Sequence, residues 1–379
     1  MASFAFSTTH SIQCDPGCSA QLGEQATALG IERMLIVTDE GIAATGIMDV
    51  ALDSLSKAGI AVAIYKGVLA DPPESIVEEA LAMANELKAS GVVGFGGGSS
   101  MDVAKLVALL ANSDEQLQDV YGVGNAKGKR LPLIQIPTTA GTGSEVTPIA
   151  IITTGETTKQ GVVAPQLLPD LALLDADLTL GLPAHVTAAT GIDAMVHAIE
   201  AYTSKVRKNQ YSDMLAREAL SLLSNNIVEV IENGANRVAR SNMLLGSMMA
   251  GQAFANAPVA AVHALAYPLG GHYHISHGLS NSLVLPHVLR FNLTACSDLY
   301  GELVPAMDKD LPATGEALIA HMESLIEQVG LPKTLAEVEV PENDLAMLAK
   351  DAMLQQRLLV NNPREVSEQD ALAIYQAAF

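Results

Sequence analysis

The sequence predicts an α/β half followed by an all-helical half, and three observations carry that expectation. Up to about residue 180, short apolar runs alternate with helical patterns, the signature of βαβ units and a mostly parallel sheet. After about residue 180 the strand pattern disappears and helical periodicity continues to the C-terminus. The length of 379 residues exceeds the size at which one core stops growing, and 49% hydrophobic residues give apolar surface for two. The boundary is expected near Gly181-Leu-Pro183, giving an α/β domain over 1–180 and an all-α domain over 181–379.

Taken in order, the apolar runs at 33–38, 60–65, 91–95, 133–136 and 171–174 predict strands. Helices are expected between them at 47–58, 74–89 and 100–112. Asp71-Pro-Pro-Glu74 supplies a helix start, because proline at an early position removes no intrahelical donor. In the second half, helical spacing predicts helices at 185–203, 211–232, 236–256, 259–270, 278–290 and 313–329. Pro258, Pro268 and Pro286 punctuate this run, and further helical patterns close the chain at 342–357 and 367–378.

Composition narrows the function classes. With 21 basic against 42 acidic residues the net charge is −21, a surface that repels phosphate backbones, so nucleic acid is not an expected partner. No uninterrupted apolar run of about eighteen residues occurs, so no membrane span is expected, and no basic region precedes an apolar block at the start, so no signal peptide is expected. Three cysteines suit a reducing compartment, and a cytoplasmic protein is expected. The central Pro-Gly of Cys14-Asp-Pro-Gly-Cys18 reads as a turn.

The segment Gly94-Phe-Gly-Gly-Gly-Ser-Ser-Met-Asp-Val-Ala-Lys105 follows a predicted strand and opens a predicted helix. Consecutive glycines let a ligand approach the backbone and aim several N–H groups one way, while the helix adds its positive end, so a pyrophosphate is the natural occupant. The ordinary dinucleotide fingerprint differs: Ser99 stands at its third glycine position, the turn follows the third strand, and no acid waits about twenty residues on. Instead Asp39 ends an earlier strand, where a carboxylate suits a ribose 2′-OH and repels a 2′-phosphate, favouring NAD over NADP. A plain glycine turn is the competing explanation. Against it stands Pro137-Thr-Thr-Ala-Gly-Thr-Gly-Ser-Glu-Val-Thr147, a second loop directly after a strand, whose hydroxyls are costly as core and suited to a polar ligand.

In the helical half, Asp193 and His197 lie four apart in Gly191-Ile-Asp-Ala-Met-Val-His-Ala-Ile-Glu200, so one helix face carries a carboxylate and an imidazole. His263, His272, His274 and His277 crowd into fifteen residues, and no Lys or Arg occurs from Ser241 to Leu289. A single histidine on an apolar helix is more often a core residue than a ligand. One carboxylate with several neutral imidazoles is a compact donor set for a divalent transition metal. Spacing alone does not choose among His272, His274 and His277.

Four motifs together, Gly96-Gly-Gly-Ser-Ser-Met-Asp102, Pro137 to Glu145, Gly191 to Glu200, and His263-Ala-Leu-Ala-Tyr-Pro-Leu-Gly270 with Ser276-His-Gly278, resemble the iron-containing (group III) alcohol dehydrogenases. The resemblance runs from the first strand region to Phe379. It implies an N-terminal dinucleotide-binding α/β domain and a helical domain in a dehydroquinate synthase-like architecture, usually as a homodimer. It implies Asp193, His197, His263 and His277 as metal ligands, with Fe(II) favoured and Zn(II) the alternative. It also implies NAD contacts from Asp39, Gly97, Gly98, Ser99, Asp102, Thr138, Thr139, Thr142, Ser144 and Lys159. Where the family commonly has a second histidine four residues after His263 this chain has Tyr267, which leaves Tyr267 and His274 as candidates for proton relay. Asp71 replaces an asparagine often found before Pro72.

The activity implied is hydride transfer between a metal-bound primary alcohol and nicotinamide C4. The small apolar residues Ala253, Phe254, Val259 and Leu265 suggest a small neutral alcohol or aldehyde as partner. Competing readings are a glycerol- or propanediol-type polyol dehydrogenase, a hydroxyacid-oxoacid transhydrogenase, a dehydroquinate synthase-like lyase, and a non-catalytic nucleotide-binding protein. The lyase needs several basic residues near the histidines, which the stretch from Ser241 to Leu289 does not supply.

Overall fold

A computed structural model describes residues 3–155 and 158–379. The chain forms two compact units. One comprises Thr8–Thr139 and Ser144–Gly181; the other comprises Leu182–Phe379 with Ala140–Gly143 and the N-terminal arm through Ser7.

The α/β unit contains β1 (Ser11–Cys14), β2 (Arg33–Val37), β3 (Ala61–Tyr65), β4 (Gly91–Gly96), β5 (Gly122–Val123), β6 (Leu133–Pro137), β7 (Ile149–Thr154), β8 (Thr158–Val163) and β9 (Leu171–Leu174). Six of them form one sheet in the order β1-β9-β6-β4-β2-β3, and its pairings are parallel. Alternation along the strands builds two cores. Leu35, Val37, Val92 and Leu133 face one way, towards α4 (Glu74–Leu87) and α5 (Gly98–Leu110). Met34, Ile36, Val93, Phe95, Ile134 and Ile136 face the other way, towards α1 (Leu22–Ala28) and α3 (Asp49–Lys57). Both faces are covered, so the strands read as continuous apolar runs. The short helices α2 (Glu40–Thr45) and α6 (Leu117–Val120) complete this unit.

Besides α2 and α6, the strand β1, the helix α1 and the pair β7 and β8 go beyond the predicted strands and helices. β1 is a half-exposed edge strand that pairs only with β9, so it has no long apolar run to announce it. Helix α1 is a seven-residue element without a side-chain cap. β7 and β8 form an antiparallel pair that joins β5 in a separate three-stranded sheet, and their burial alternates without the apolar density of the main strands.

In the helical unit, α7 (Ala184–Thr203) is buried almost all round from Thr187 to Thr203, the mark of a central helix. Around it lie α8 (Gln210–Ser224), α9 (Ile227–Glu232), α10 (Arg237–Asn256), α11 (Ala261–Tyr273), α12 (His277–Met307), α13 (Gly315–Gln328), α14 (Leu345–Ala352), α15 (Gln356–Leu359) and α16 (Glu368–Ala378). No strand occurs in this unit among the described residues. The single helix expected over 211–232 is two helices. The amides of Asn225 and Asn226 donate to the carbonyls of Ser221 and Leu222 at 2.7 Å each and end α8. α12 continues past Pro286 to Met307, and its departure from helical geometry falls at Cys296 instead. Packing against α7 and α13 overrides the proline signal there.

Candidate metal centre and dinucleotide site

Helix geometry places Asp193 and His197 one turn apart on the buried face of α7. His263 comes from the first turn of α11, and His277 is the first residue of α12. One ligand atom from each of the four lies within 4.8 Å of all the others. Asp193 Oδ1 is 4.0, 3.9 and 3.6 Å from Nε2 of His197, His263 and His277. The rings of His197 and His263 stack with centroids 4.7 Å apart, and Phe254 covers the other side of His197 at 4.4 Å.

Burial holds the His197 imidazole unprotonated, lowering its pKa to about 3, although the Asp193 carboxylate opposes this. Burial would raise the Asp193 carboxyl, yet the three imidazoles and the Asn281 amide together bring it below the usual carboxylate range. Asn281 on α12 donates from Nδ2 to Asp193 Oδ1 at 2.6 Å, and the same nitrogen lies 3.4 and 3.2 Å from Nε2 of His263 and His277. Several lone-pair donors therefore converge, buried, on one amide nitrogen. That arrangement is complementary to a cation, and three nitrogens with one carboxylate oxygen fit a divalent transition metal. His197 Nδ1 makes no hydrogen bond of good geometry, and the backbone of Gly141 supplies only a weaker polar contact to the ring.

Glu200, three residues after His197, lies against the cluster. Its Oε2 is 2.7 Å from His263 Nδ1, and its Oε1 accepts the Val262 N–H at 2.7 Å. Neither Glu200 nor Asn281 was picked out by the sequence reasoning. The available signal for Glu200 was a carboxylate at seven-residue spacing from Asp193, inside an otherwise apolar helix.

The alternative imidazoles lie elsewhere. His272 is paired with Asp351 at 2.6 Å, and His274 is the exposed left-handed residue that ends α11. Both fall outside the four-residue cluster. Tyr267 stands beside His277 with ring centroids 5.9 Å apart. Arg357 reaches the Tyr267 hydroxyl at 3.5 Å, a cation that the Lys- and Arg-free stretch did not foreshadow.

In the α/β unit, β2, β4 and β6 are parallel, so Asp39, Gly97 and Thr138 follow their carboxyl ends on one edge of the sheet. The chain passes from β2 outward to β3 and then back to β4, so this edge includes the switch point where open α/β sheets bind ligands. A Cβ at Gly96 would lie 2.8 Å from Ser100 Oγ and 3.7 Å from Asp39 Oδ2, which explains the glycine and puts the Asp39 carboxylate at the turn. Asp39 Oδ1 caps α2 through the Ile42 N–H at 2.9 Å. The Thr139 side chain lies 3.8 Å from where a Gly97 Cβ would stand. Gly98 and Ser99 open α5 and belong to its donor-rich first turn. The Thr138 N–H donates to Gly96 O at 3.0 Å, while its buried Oγ1 has no hydrogen-bond partner among the described residues. A glycine turn, a helix start and a buried hydroxyl without a partner fit a dinucleotide phosphate.

Other predicted contacts are engaged within the protein. Asp102 accepts from Ser144 Oγ at 2.6 Å and from the Ile151 N–H at 2.9 Å. Buried Lys105, lowered to about 8 by desolvation, donates to Ser144 Oγ, Thr147 Oγ1 and Ile149 O at 2.7, 3.1 and 2.6 Å. This network ties the 144–151 segment to α5. Lys159 is paired with Asp71 at 2.5 Å, and Thr153 donates to Asp71 O and Pro72 O at 2.9 Å, which holds β7 and β8 to the loop after β3. Thr142 falls in the Ala140–Gly143 segment, which belongs to the helical unit.

Residues 9–176 match the family model "Iron-containing alcohol dehydrogenase", and residues 187–379 match "Fe-containing alcohol dehydrogenase family, C-terminal". The chain is 42% identical over 371 residues to long-chain-alcohol dehydrogenase 1 of Geobacillus thermodenitrificans, covering 96% of this chain and 93% of the relative. It is 33% identical to the NAD-dependent methanol dehydrogenase of Bacillus methanolicus, covering 96% of each. A crystal structure of 1,3-propanediol oxidoreductase superposes with a TM-score of 0.96 at 35% identity, covering 100% of both chains.

Proposed function

The chain belongs to the iron-containing alcohol dehydrogenase family, and on that premise we propose that Asp193, His197, His263 and His277 hold its divalent metal, while the glycine turn with Asp39, Thr138 and Thr139 holds NAD. The enzyme is an NAD-linked, metal-dependent alcohol dehydrogenase. The observation that carries the site assignment is the convergence of four buried or half-buried ligand atoms within 4.8 Å.

When bound, the metal supplies Lewis acidity towards an alcohol oxygen, and NAD supplies the hydride acceptor. Iron(II) is favoured by the family, and zinc(II) suits the same donors. The protein's part is electrostatic and geometric. Burial keeps His197 a lone-pair donor at neutral pH, and Asp193 contributes the set's negative charge. Phe254, stacked on His197, excludes water from one side of the cluster. Of the two relay candidates Tyr267 is favoured, since its ring lies beside His277 while His274 is exposed at the end of α11.

The substrate class proposed is a neutral primary alcohol and its aldehyde. Support comes from Phe254, which is buried and stacked on His197 of the cluster. The relatives' names point to long-chain alcohols, methanol and 1,3-propanediol, all of which carry a primary hydroxyl. A homodimer and a cytoplasmic location are further proposals. The edge strand β1, open on one side, supports the first; three free cysteines support the second. No helix among the described residues is long and apolar enough to cross a membrane.

The test is NAD-linked oxidation of a panel of primary alcohols, diols and hydroxy acids after chelation and after re-addition of Fe(II) or Zn(II). Activity should vanish with the metal and return with it on simple alcohols. Asp193→Ala and His263→Ala should each lower turnover by more than about a hundredfold and lose metal, a larger loss than outer residues produce. Wild-type turnover and metal content in either variant would refute the assignment.

A further inference from the structure

We infer that Glu200 is a positioning residue of the metal centre: its carboxylate holds His263 in the one tautomer whose Nε2 can ligate, while the same group caps the helix that carries His263. The inference rests on the metal centre proposed above and extends it to a residue beyond the ligand set.

Glu200 follows Asp193 by seven residues and His197 by three, so α7 presents all three on one face. Its side chain is 5% exposed, and both oxygens are engaged. Oε1 accepts the Val262 N–H at 2.7 Å, and Oε2 lies 2.7 Å from His263 Nδ1. Val262 is the second residue of α11, whose N-cap, Ala260, offers no side-chain acceptor. A first-turn N–H buried without a partner is destabilising, so a carboxylate from α7 does the work of a cap.

A carboxylate has no proton to give, so the proton in the Glu200–His263 contact resides on Nδ1. That leaves Nε2 as the ring nitrogen placed to ligate, and it is the atom that faces Asp193 Oδ1 at 3.9 Å and Asn281 Nδ2 at 3.4 Å. The donor of Asn281 agrees with an acceptor at that position.

Two donors, Val262 N–H and His263 Nδ1–H, meet this one side chain, and only a carboxylate accepts at both of its atoms. Glutamine, the isosteric replacement, accepts at one and donates at the other. If it keeps the Val262 bond, its NH2 faces Nδ1 and drives the ring proton to Nε2, which removes the ligand lone pair. If it turns over to accept from Nδ1–H, its NH2 opposes the Val262 N–H. Either way one contact is lost.

The test compares wild type and Glu200→Gln in two measurements. The first is the Zn(II) dissociation constant from competition with a chelator. The second is the 15N resonance pattern of the His263 ring in metal-free protein, assigned by its loss in His263→Asn. We expect zinc affinity to fall about 10- to 100-fold in Glu200→Gln, as loss of a carboxylate partner to a ligating histidine does elsewhere. The wild-type ring should carry its proton on Nδ1, and the metal-free variant should melt below the metal-free wild type because one of the two contacts is lost. Zinc affinity within threefold of wild type overturns the role of Glu200 while leaving the metal centre standing. A wild-type ring protonated on Nε2 overturns it without reference to any variant, so an insoluble Glu200→Gln does not shield the inference. Wild-type protein that takes up no zinc and no iron overturns the metal centre itself, and this role with it.

Discussion

The side chain of Glu145 is 1% exposed, and its Oε1 has no hydrogen-bond partner among the described residues. Burial raises its pKa to about 7, against the opposing pull of a backbone hydrogen bond and the Lys105 ammonium. The folded protein thus holds this proton after the unfolded chain has released its own near the ordinary glutamate value. Between roughly pH 4.5 and 7 the folded state binds more protons, so stability falls as pH rises through that window. The loss is on the order of 3 kcal/mol once Glu145 is ionised. Glu145→Gln removes the titration, so its Tm relative to wild type should climb between pH 5 and pH 8. A difference that is the same at both values would show that Glu145 does not bear this burden.

Legibility at this scale followed chain distance. Asp193 and His197 were readable as neighbours because one helix carries both, and helical periodicity fixes their relation. His263 and His277 sit on two helices separated by a left-handed residue at His274, so a spacing of fourteen says nothing about direction. Only the motif resemblance ranked His277 above His272 and His274. Glu200 stayed unread because Val262 lies 62 residues away in sequence, and the contact of Asn281 with Asp193 spans 88 residues, separations no local pattern encodes.

At the scale of elements, the packing of α12 on α7 positions the proposed metal ligands. Gly278 follows His277, and a Cβ there would lie 2.4 Å from Ala189 O and 3.3 Å from Asp193 Cβ. The two helices approach this closely because position 278 has no side chain. Gly278→Ala should therefore push α12 outward by its first turn and carry His277 with it. Overpacking of this kind costs roughly 1–3 kcal/mol, a Tm drop of about 3–8 °C for a unit of this size. Metal per protomer should fall together with Tm, and the melt of the metal-free variant separates the two effects. A variant with wild-type Tm and full metal content would mean that the helices slide past the added methyl without consequence.

Elements were legible where burial is symmetric. The strands of the main sheet are covered on both faces and read as unbroken apolar runs, and α7 reads as a long apolar segment without a polar face because it is surrounded. The pair β7 and β8 is half-buried and alternates, so its signal is weaker, and β1 owes its strand geometry to pairing with β9 rather than to its own residues. The helix expected over 278–290 passes Pro286 and runs on to Met307, with its departure from helical geometry at Cys296.

For the whole molecule the dominant physical fact is a net charge of −21. The dinucleotide is itself anionic, so its approach is opposed by the long-range field before any local contact forms. Three lysines of the α/β unit are each paired with a carboxylate, Lys159 with Asp71 at 2.5 Å, Lys57 with Asp53 at 2.5 Å and Lys66 with Glu40 at 3.2 Å, and so add little to reverse that field. Salt shortens the reach of the repulsion from about 30 Å at 0.01 M to about 8 Å at 0.15 M. The association rate of NADH, followed by stopped-flow nicotinamide fluorescence, should therefore rise by about threefold across that range. For a protein that steers its cofactor with free positive charge, the slope has the opposite sign. A rate that falls with salt would place a net positive field at the glycine turn and overturn this expectation.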